Sequence, residues 1–249
     1  MIRRSFIFLD RIGPKQEANI RKQGINDWQD FLEQEKIKGI SNKAKSYYNR
    51  KIKEARTELF NGNSSYFTKI LPTAEVWRLY DFFEDQSVFL DIETSGVSMS
   101  SFITVFGLYD GMETKIMVRD INLDLNKLKK ELKNYRLIVT FNGSSFDIPF
   151  IRKRYQALLP NIPHFDLKHA CIKLGLTGGL KEVERSLGIK RQNPIVERLY
   201  GGDPYLLWRM FKGSGEEHYL KLLVEYNEED VINLKQIADY VYEKMKDNF

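Results

Sequence analysis

Cysteine is almost absent from this sequence, because Cys171 is the one cysteine among 249 residues. A single thiol excludes an internal disulfide framework and any zinc cluster built from cysteines, and it is typical of a reducing compartment. Hydrophobic runs long enough to cross a bilayer are also missing. The apolar stretch at the start of the sequence stops at Asp10, too early for a secretory signal. The sequence therefore predicts a cytoplasmic protein with no membrane segment.

The composition is that of a folded protein. Hydrophobic residues make up 42%, aromatic residues 13% and charged residues 29%, which excludes disorder as the main state. The length allows one large domain or two smaller ones. Basic residues are concentrated early, since positions 1–70 hold 15 lysines and arginines against 8 acidic residues. The remaining positions 71–249 hold 24 against 26, so the first segment is the one expected to attract a polyanion.

The basic segment, residues 1–70, has the pattern of short helices. A glycine turn at Gly24 separates two of them, and the arrangement resembles half of a helix-hairpin-helix element, whose turn N–H groups bind a nucleic-acid phosphate. A longer helix is predicted from Ser41, its N-cap, to Phe60. Its basic side chains predict a phosphate-binding patch, and a solvated basic face with no partner is an equal alternative. The candidate substrate-binding residues on this helix are Lys43, Lys45, Arg50 and Lys51.

The second segment, residues 71–249, has the pattern of an α/β domain with a mixed sheet flanked by helices. Three apolar segments near its start predict strands, and Asp110-Gly111 predicts the hairpin turn between the second and third. A helical pattern, a further strand, another helix and a short strand follow, and the rest of the chain is mainly helical. The predicted strands are 88–93, 102–109, 114–118, 137–141 and 164–167, and the predicted helices between them are 123–132 and 146–158.

Acidic residues recur where these elements end. Asp91 and Glu93 close the first strand on one face, and two such close carboxylates repel unless a cation lies between them. Asp147 follows the fourth strand at the start of a helix, and Asp230 lies in a late helix, one turn after Tyr226. Each feature alone fits a solvated strand end, a helix cap or a surface helix turn. Four carboxylates in one site would suit two hard divalent cations, Mg2+ or Mn2+, but not zinc.

The three features taken together, in this order, resemble the exonuclease motifs of the DEDD superfamily. Tyrosine at position 226 corresponds to its DEDDy branch. The chain also resembles the YprB-type group of ribonuclease H-like exonucleases, which is related to the proofreading domain of family B DNA polymerases. The resemblance covers roughly residues 70–245. The segments that carry it are 89–96 (FLDIETSG), 140–143 (TFNG), 165–167 (FDL), 179–184 (GLKEVE), 187–189 (LGI) and 226–231 (YNEEDV).

The resemblance implies a 3′→5′ exonuclease with a ribonuclease H-like fold. It makes Asp91, Glu93, Asp147 and Asp230 metal ligands and makes Tyr226 the residue that orients the attacking water. Glu93 would also contact the terminal 3′ hydroxyl. The implied products are nucleoside 5′-monophosphates, released from single-stranded DNA or alternatively RNA. Residues with lesser candidate roles are Thr94 and Asn142 for substrate binding and Asp166 as support for the site, for which helix capping is an equal alternative.

Two other functions fit the same residues. One is a nucleic-acid-binding module that keeps the fold but does not hydrolyse, although the complete set of five candidate catalytic residues argues against it. The other is a structure-specific endonuclease whose N-terminal segment recognises junctions. The expected partner in every case is nucleic acid, and no membrane partner is expected.

Overall fold

The computed structural model describes residues 1–98, 100–192 and 203–249. This part of the chain divides into two compact units. The first consists of Met1–Glu84 together with Asn161–Pro163, and the second of Asp85–Pro160 together with His164–Phe249. The division after Glu84 lies later in the chain than the predicted boundary between residues 70 and 71. None of the helices in the described ranges is both long enough and apolar enough to span a membrane.

The first unit is helical, as its pattern predicts. Ser41 caps the longest helix, since its hydroxyl accepts a hydrogen bond from the Ala44 N–H at 3.2 Å. The turn after the first helix contains Gly24 at φ +82°, a backbone conformation that favours glycine. The helices are α1 (Pro14–Arg21), α2 (Trp28–Glu33), α3 (Asn42–Phe60), α4 (Phe67–Ile70) and α5 (Tyr80–Phe83), with 3-10 turns at Ile2–Arg4, Ser64–Tyr66 and Thr73–Leu79.

A buried ion pair explains why residues beyond position 70 belong to this unit. Arg78 donates to both carboxylate oxygens of Glu17 at 2.9 Å, and both side chains are about 95% buried. The same carboxylate accepts from the backbone N–H of Phe6 at 2.6 Å and of Ile7 at 3.2 Å. Buried charges are retained when they are paired and hydrogen-bonded. This network joins the N-terminus, α1 and the turn that contains Arg78.

The second unit is a mixed α/β structure, which confirms the predicted fold class. Its five-stranded sheet has the order β3-β2-β1-β4-β5. The first three strands pair antiparallel, and β4 and β5 extend the sheet in parallel on the other side of β1. The strands are β1 (Ser87–Thr94), β2 (Ile103–Tyr109), β3 (Thr114–Val118), β4 (Leu137–Thr140) and β5 (His164–Asp166).

The hairpin turn between β2 and β3 lies at Asp110-Gly111, as predicted. The Asp110 carboxylate accepts hydrogen bonds from the N–H groups of Met112 and Glu113, and Gly111 has φ +96°. One predicted helix is shorter than expected, because it ends at Arg154 rather than at Leu158. The helices are α6 (Leu125–Leu132), α7 (Asp147–Arg154), α8 (Leu167–Lys173), α9 (Leu180–Leu187), α10 (Pro204–Ser214) and α11 (Glu217–Asp247).

Helix α11 packs across the sheet and brings late residues of the chain to the central strand β1. Its buried side chains include Leu223, Val231, Leu234 and Ile237. Gly107 of β2 lies opposite Asp91 in the register of the sheet. A Cβ atom at Gly107 would lie 2.1 Å from Oδ1 of Asn227, so only glycine permits this approach of α11 to the sheet.

Candidate metal centre

Three predicted metal ligands meet at the junction of β1 and α11. The pairing of β1 with β2 and β4 fixes Asp91 and Glu93 on one face of the sheet, and α11 adds Asp230. One carboxylate oxygen from each residue lies within 4.8 Å of the other two. This group could therefore hold a metal ion, as the sequence predicted.

The electrostatics of the group also fit a cation. Burial, reinforced by the neighbouring carboxylates, raises the pKa of Asp91 and of Glu93 well above the usual range. Burial raises the pKa of Asp230 to about 6, although Arg191 acts in the opposite direction. Ionised carboxylates are thus unfavourable in this site unless a positive charge compensates them. Oxygen donors of this kind match the preference of Mg2+ and Mn2+.

Asp147 lies beside β1 but is not one of the three residues whose ligand atoms meet. Its Oδ1 accepts a hydrogen bond from the backbone N–H of Ile92 at 3.2 Å, and its side chain is buried at the start of α7. Burial raises the pKa of Asp147 to about 6. The structure thus brings Asp147 to the strand that carries Asp91 and Glu93, and its role as a ligand stays a prediction.

Tyr226 lies one helical turn before Asp230 on α11. Burial and the charges of Asp230 and Glu93 raise the pKa of the Tyr226 hydroxyl above its usual value, so the phenol keeps its proton at neutral pH. The Lys181 ammonium lies 4.7 Å and the Arg191 guanidinium 5.4 Å from the centroid of the Tyr226 ring. Two cations therefore flank this ring beside the acidic group.

Arg191 is a residue of this site that the sequence reasoning did not find. Its guanidinium donates to both carboxylate oxygens of Glu184 at 2.8 Å and also to Oδ1 of Asp230. The Glu184 carboxylate accepts a third hydrogen bond, from Nδ2 of Asn233 at 2.9 Å. Glu184 occurs in one of the segments that carry the family resemblance, but no spacing rule connects Arg191 with Asp230. Only the fold brings them together.

A cavity of about 400 Å3 opens beside these groups. Tyr226 and Asp230 form one side. Lys181, Arg185 and Arg191 also line it, together with Glu182, which pairs with Arg185 at 3.0 Å. A cavity with an acidic group at one side and several cations around it can accept a phosphate whose oxygens the cations neutralise.

Asn227 is a second residue that was assigned no role. Its Nδ2 donates to Oδ2 of Asp91 at 2.7 Å, so it orients one of the three carboxylates that could hold a metal ion. Its Oδ1 is buried without a hydrogen-bond partner in the described part of the chain. Asn227 belongs to the segment Tyr226–Val231. Its position directly after Tyr226 is the only feature of the sequence that could have indicated a role in the site.

Asp166 supports the turn that leads to Asp147. Its carboxylate accepts from the N–H groups of Asn142 at 2.8 Å and Ser144 at 3.0 Å, and from the Ser144 hydroxyl. It also accepts from the N–H of Lys168 at 3.1 Å and so caps α8. Asn142 adopts φ +62°, and its backbone is fixed by Asp166. Asp166 thus caps α8, one of the two roles weighed for it, and its support for the site stays a prediction.

The remaining candidates have local contacts or belong to the other unit. The Thr94 hydroxyl donates to the Gly96 carbonyl at 2.9 Å, within the turn after β1. Lys43 and Arg50 line a shallow surface cavity on α3. Lys45 is only 5% exposed and donates to Asn49, and Lys51 pairs with Glu54 at 3.0 Å. The predicted basic patch is therefore smaller than its sequence suggests, because Lys45 does not belong to the exposed face.

The turn at Gly24 also has fewer free groups than the helix-hairpin-helix interpretation requires. The N–H of Gln23 donates to the Ile20 carbonyl, and the N–H of Gly24 donates to the Arg21 carbonyl at 2.9 Å. These groups are satisfied within the chain, so they are not available to bind a phosphate.

The raised pKa values predict how the metal-free protein responds to pH. The pKa values of Asp147 and Asp230 are near 6 in the folded state and near 3.8 when unfolded, so the folded state binds more protons between these values. We therefore expect the thermal midpoint in EDTA to fall as pH rises from about 4 through 6, and further as Asp91 and Glu93 ionise. Carboxyl groups with lowered pKa values, such as Asp110, titrate below this window. The buried His164 acts in the opposite direction, because burial lowers its pKa to about 4 and the unfolded state therefore binds more protons between about 4 and 6.5, so it offsets part of the decline in this range.

Thermal unfolding in EDTA and in Mn2+ between pH 4.5 and 8 checks this expectation. Mn2+ is expected to reverse the decline, because a bound cation stabilises the ionised carboxylates. An Asp147→Asn variant is expected to show a shallower decline in EDTA. A thermal midpoint in EDTA that rises between pH 6.5 and 8, above the range in which His164 acts, would contradict the assignment.

Comparison with known protein families agrees with the fold. The family model described as the RNase H superfamily matches residues 88–242, which include β1, the sheet and most of α11. The chain belongs to the RNase H superfamily. Most members of this superfamily are phosphodiester hydrolases. A search of curated proteins found no match to the chain.

Proposed function

We propose that this protein is a divalent-metal-dependent 3′→5′ exonuclease that acts on nucleic acid, with single-stranded DNA as the favoured substrate and RNA as an alternative. The observation that supports it best is the convergence of Asp91, Glu93 and Asp230 from two distant parts of the chain. Tyr226, one turn before Asp230, adds the residue that the exonuclease resemblance requires. A binding module without catalytic activity has no need of a buried acidic group that is unfavourable without a cation.

The residues that would hold metal ions are Asp91, Glu93, Asp147 and Asp230. Bound Mg2+ or Mn2+ would supply Lewis-acid chemistry, lowering the pKa of the attacking water and stabilising the leaving 3′ oxygen. The net reaction adds water across the last phosphodiester. The water oxygen bonds to phosphorus, the bond from phosphorus to the 3′ oxygen breaks, and that oxygen takes up a proton.

The chain's own residues prepare this step. Tyr226 keeps its proton at neutral pH, so its hydroxyl orients the attacking water by hydrogen bonding rather than by acting as a base. Asn227 holds Asp91 in one orientation. Lys181 and Arg191 line the cavity beside Tyr226 and offset negative charge on the substrate phosphate. By the family resemblance, Glu93 contacts the terminal 3′ hydroxyl and limits the reaction to chain ends.

Hydrolysis of end-labelled oligonucleotides tests the proposal. Single-stranded DNA and RNA of the same sequence, labelled at the 5′ end, are incubated with Mn2+, Mg2+ or EDTA. We expect a ladder that shortens from the 3′ end with Mn2+ or Mg2+ and is lost in EDTA. A Tyr226→Phe variant is expected to be slower by about 10²-fold or more, because it lacks the hydroxyl that orients the water.

Circular single-stranded DNA separates the exonuclease from an endonuclease. An exonuclease leaves the circle intact, whereas cleavage of the circle would favour the structure-specific endonuclease. Binding without hydrolysis of any linear substrate in either metal would contradict the proposed activity and favour the non-catalytic module.

A further inference from the structure

The helical first unit has a second basic surface, distinct from the predicted patch on α3. It is a groove of about 630 Å3 whose cationic side chains come from the N-terminal 3-10 turn and from the end of α3. We call it the arginine groove. Its lining consists of Met1, Arg3, Arg4, Asp27, Trp28, Gln29, Arg56 and Phe60.

The three arginines of the groove keep their charges available. Arg3, Arg4 and Arg56 form no ion pair with any residue in the described ranges, whereas Arg21 and Arg78 of the same unit both pair with Glu17. Arg56 donates one hydrogen bond, to the neutral Oε1 of Gln29 at 3.0 Å. A guanidinium presents five N–H donors, so most of the donors of these side chains remain free for an anion.

The other charged groups that line the groove are already engaged. The Met1 ammonium donates to the Asp81 carboxylate. The single acidic side chain of the lining, Asp27, caps α2 by accepting from the N–H groups of Gln29 at 2.8 Å and Asp30 at 3.0 Å. The groove thus carries three arginines and one carboxylate, and that carboxylate already accepts two backbone hydrogen bonds. The net positive charge of this lining favours an anionic ligand.

The backbone beneath Arg3 and Arg4 is fixed. Ile2 is 1% exposed, so its burial anchors the turn that presents both arginines. The N–H of Arg4 donates to the Met1 carbonyl at 2.9 Å, and the Arg4 carbonyl accepts from Nη2 of Arg21 at 3.1 Å. A prearranged pair of arginines loses less conformational freedom on binding than side chains on a mobile terminus.

An exposed aromatic side chain lies at the same groove. Phe60, the last residue of α3, is 59% exposed, and its ring contacts Phe82 only edge-to-face at a centroid distance of 5.9 Å. A ring that remains accessible beside several arginines has the combination that single-stranded nucleic acids require, since cations bind the phosphates and an aromatic face stacks on a base.

We propose that the arginine groove binds the phosphate backbone of single-stranded nucleic acid, and that it does so more strongly than the basic face of α3. The inference rests on the proposed function, because it assigns the same substrate a second contact. On the α3 face, Lys45 is buried against Phe31 and Lys51 pairs with Glu54. The groove offers three arginines without ion pairs and one open aromatic ring. The α3 face also carries three cations without ion pairs in the described ranges, Lys43, Arg50 and Lys53, but only one of them is an arginine, and the hydroxyl of its aromatic residue Tyr47 donates to Asp10.

Two triple variants with the same loss of charge test this assignment in the full chain. The groove variant is Arg3→Gln, Arg4→Gln and Arg56→Gln, and the control is Lys43→Gln, Arg50→Gln and Lys53→Gln on α3. Fluorescence anisotropy with a labelled oligothymidylate in EDTA measures binding without hydrolysis. Thermal unfolding of each variant verifies that the fold is retained.

We expect the groove variant to bind at least tenfold more weakly and the control to stay within about threefold of the parent. The plot of log affinity against log salt is expected to lose a slope of about 2 in the groove variant, since each phosphate contact on a single strand contributes about 0.7. Loss of binding in the control alone, equal loss in both variants, or no loss in either would each overturn the assignment.

A short substrate separates this inference from the proposed activity. The p-nitrophenyl ester of thymidine 5′-monophosphate has a single phosphate and no adjoining strand, so it has no further phosphate for a second contact. Its hydrolysis by the parent protein in Mn2+ is expected, and it measures the acidic site by itself. Absence of this hydrolysis would contradict the exonuclease and leave the binding result intact, whereas the difference in oligothymidylate binding between the two triple variants in EDTA tests the groove.

Discussion

Asp91→Asn is expected to abolish metal-dependent hydrolysis while making the metal-free protein more stable. The amide cannot supply the negative charge that a divalent cation needs, so we expect activity to fall by at least about 10³-fold, as for other groups that act directly at a reacting centre. The metal-free folded protein becomes more stable, because burial and neighbouring carboxylates make the negative charge of Asp91 unfavourable and raise its pKa. An amide at this position can still accept the hydrogen bond from Nδ2 of Asn227.

Thermal unfolding and oligonucleotide hydrolysis, measured on the same preparations, check both parts of this prediction. In EDTA at pH 8 the variant is expected to unfold at a higher temperature than the parent, and the difference is expected to shrink as the pH is lowered and Asp91 takes up its proton in the parent. The stabilisation that Mn2+ gives to the parent is expected to be lost.

Asp239→Asn is the matched control for this variant. Asp239 lies further along α11 and forms a surface ion pair with Lys235 at 2.8 Å. Its replacement is expected to change activity by less than about twofold and stability by less than about 1 kcal/mol. Retention of full activity in Asp91→Asn would remove this residue from the proposed metal site, and a lower thermal midpoint in EDTA would contradict the electrostatic argument.

Arg191→Met is expected to give the largest loss of stability in the second unit. The Arg191 side chain is 91% buried, and its guanidinium pairs with Glu184 and Asp230, which are also buried. Methionine fills a similar volume but leaves two buried carboxylates without this cation. Breaking such a pair typically costs about 3–5 kcal/mol. Activity is expected to fall as well, because Asp230 and the flank of Tyr226 lose a contact that holds them in position.

Urea unfolding of Arg191→Met, compared with Arg185→Met, measures this effect. Arg185 also lines the cavity, but its side chain is 66% exposed and pairs with Glu182 within one helical turn. Its replacement is expected to cost at most about 1 kcal/mol. Arg191→Lys keeps the charge but not the bidentate contact, so its free energy of unfolding is expected to lie between those of the parent and the methionine variant.

A double variant identifies why Arg191→Met loses stability. Glu184→Gln together with Arg191→Met is expected to be less destabilised than the sum of the two single variants, since a neutral side chain at 184 no longer needs the cation. Additive losses would show that the two residues do not act as a pair. A stability for Arg191→Met that equals that of Arg185→Met would show that the network has no role in the fold.

Much of the second unit could be predicted from the sequence because its signals are local. The strand that ends in Asp91 and Glu93 is a continuous apolar run, and Asp110-Gly111 has the residues that a hairpin turn needs. These patterns depend only on neighbouring residues, so they are visible without the fold. The order of the acidic motifs led to the RNase H superfamily, to which the family comparison assigns the chain.

The limits of the two units were less predictable, because they depend on distant contacts. Composition changes near residue 70, yet the first unit continues to Glu84. The buried pair of Glu17 and Arg78 holds the later turn to α1, and no feature of either residue's neighbours indicates its partner. The charge pattern along α3 was misleading for a similar reason. Lysine is usually an exposed residue, but Lys45 is buried, with its ammonium over the ring of Phe31.

The sequence by itself determined the residue types, the carboxylates near strand and helix ends, and the turn residues, because these follow from local propensity and from periodicity along the chain. Only the tertiary structure decided which carboxylates meet, since α11 must cross the sheet at Gly107 to place Asp230 beside Asp91 and Glu93. It also decided that Arg191 neutralises Asp230 and Glu184. Such pairings arise from desolvation and Coulomb forces between residues far apart in sequence, and these depend on distances that only the folded chain defines.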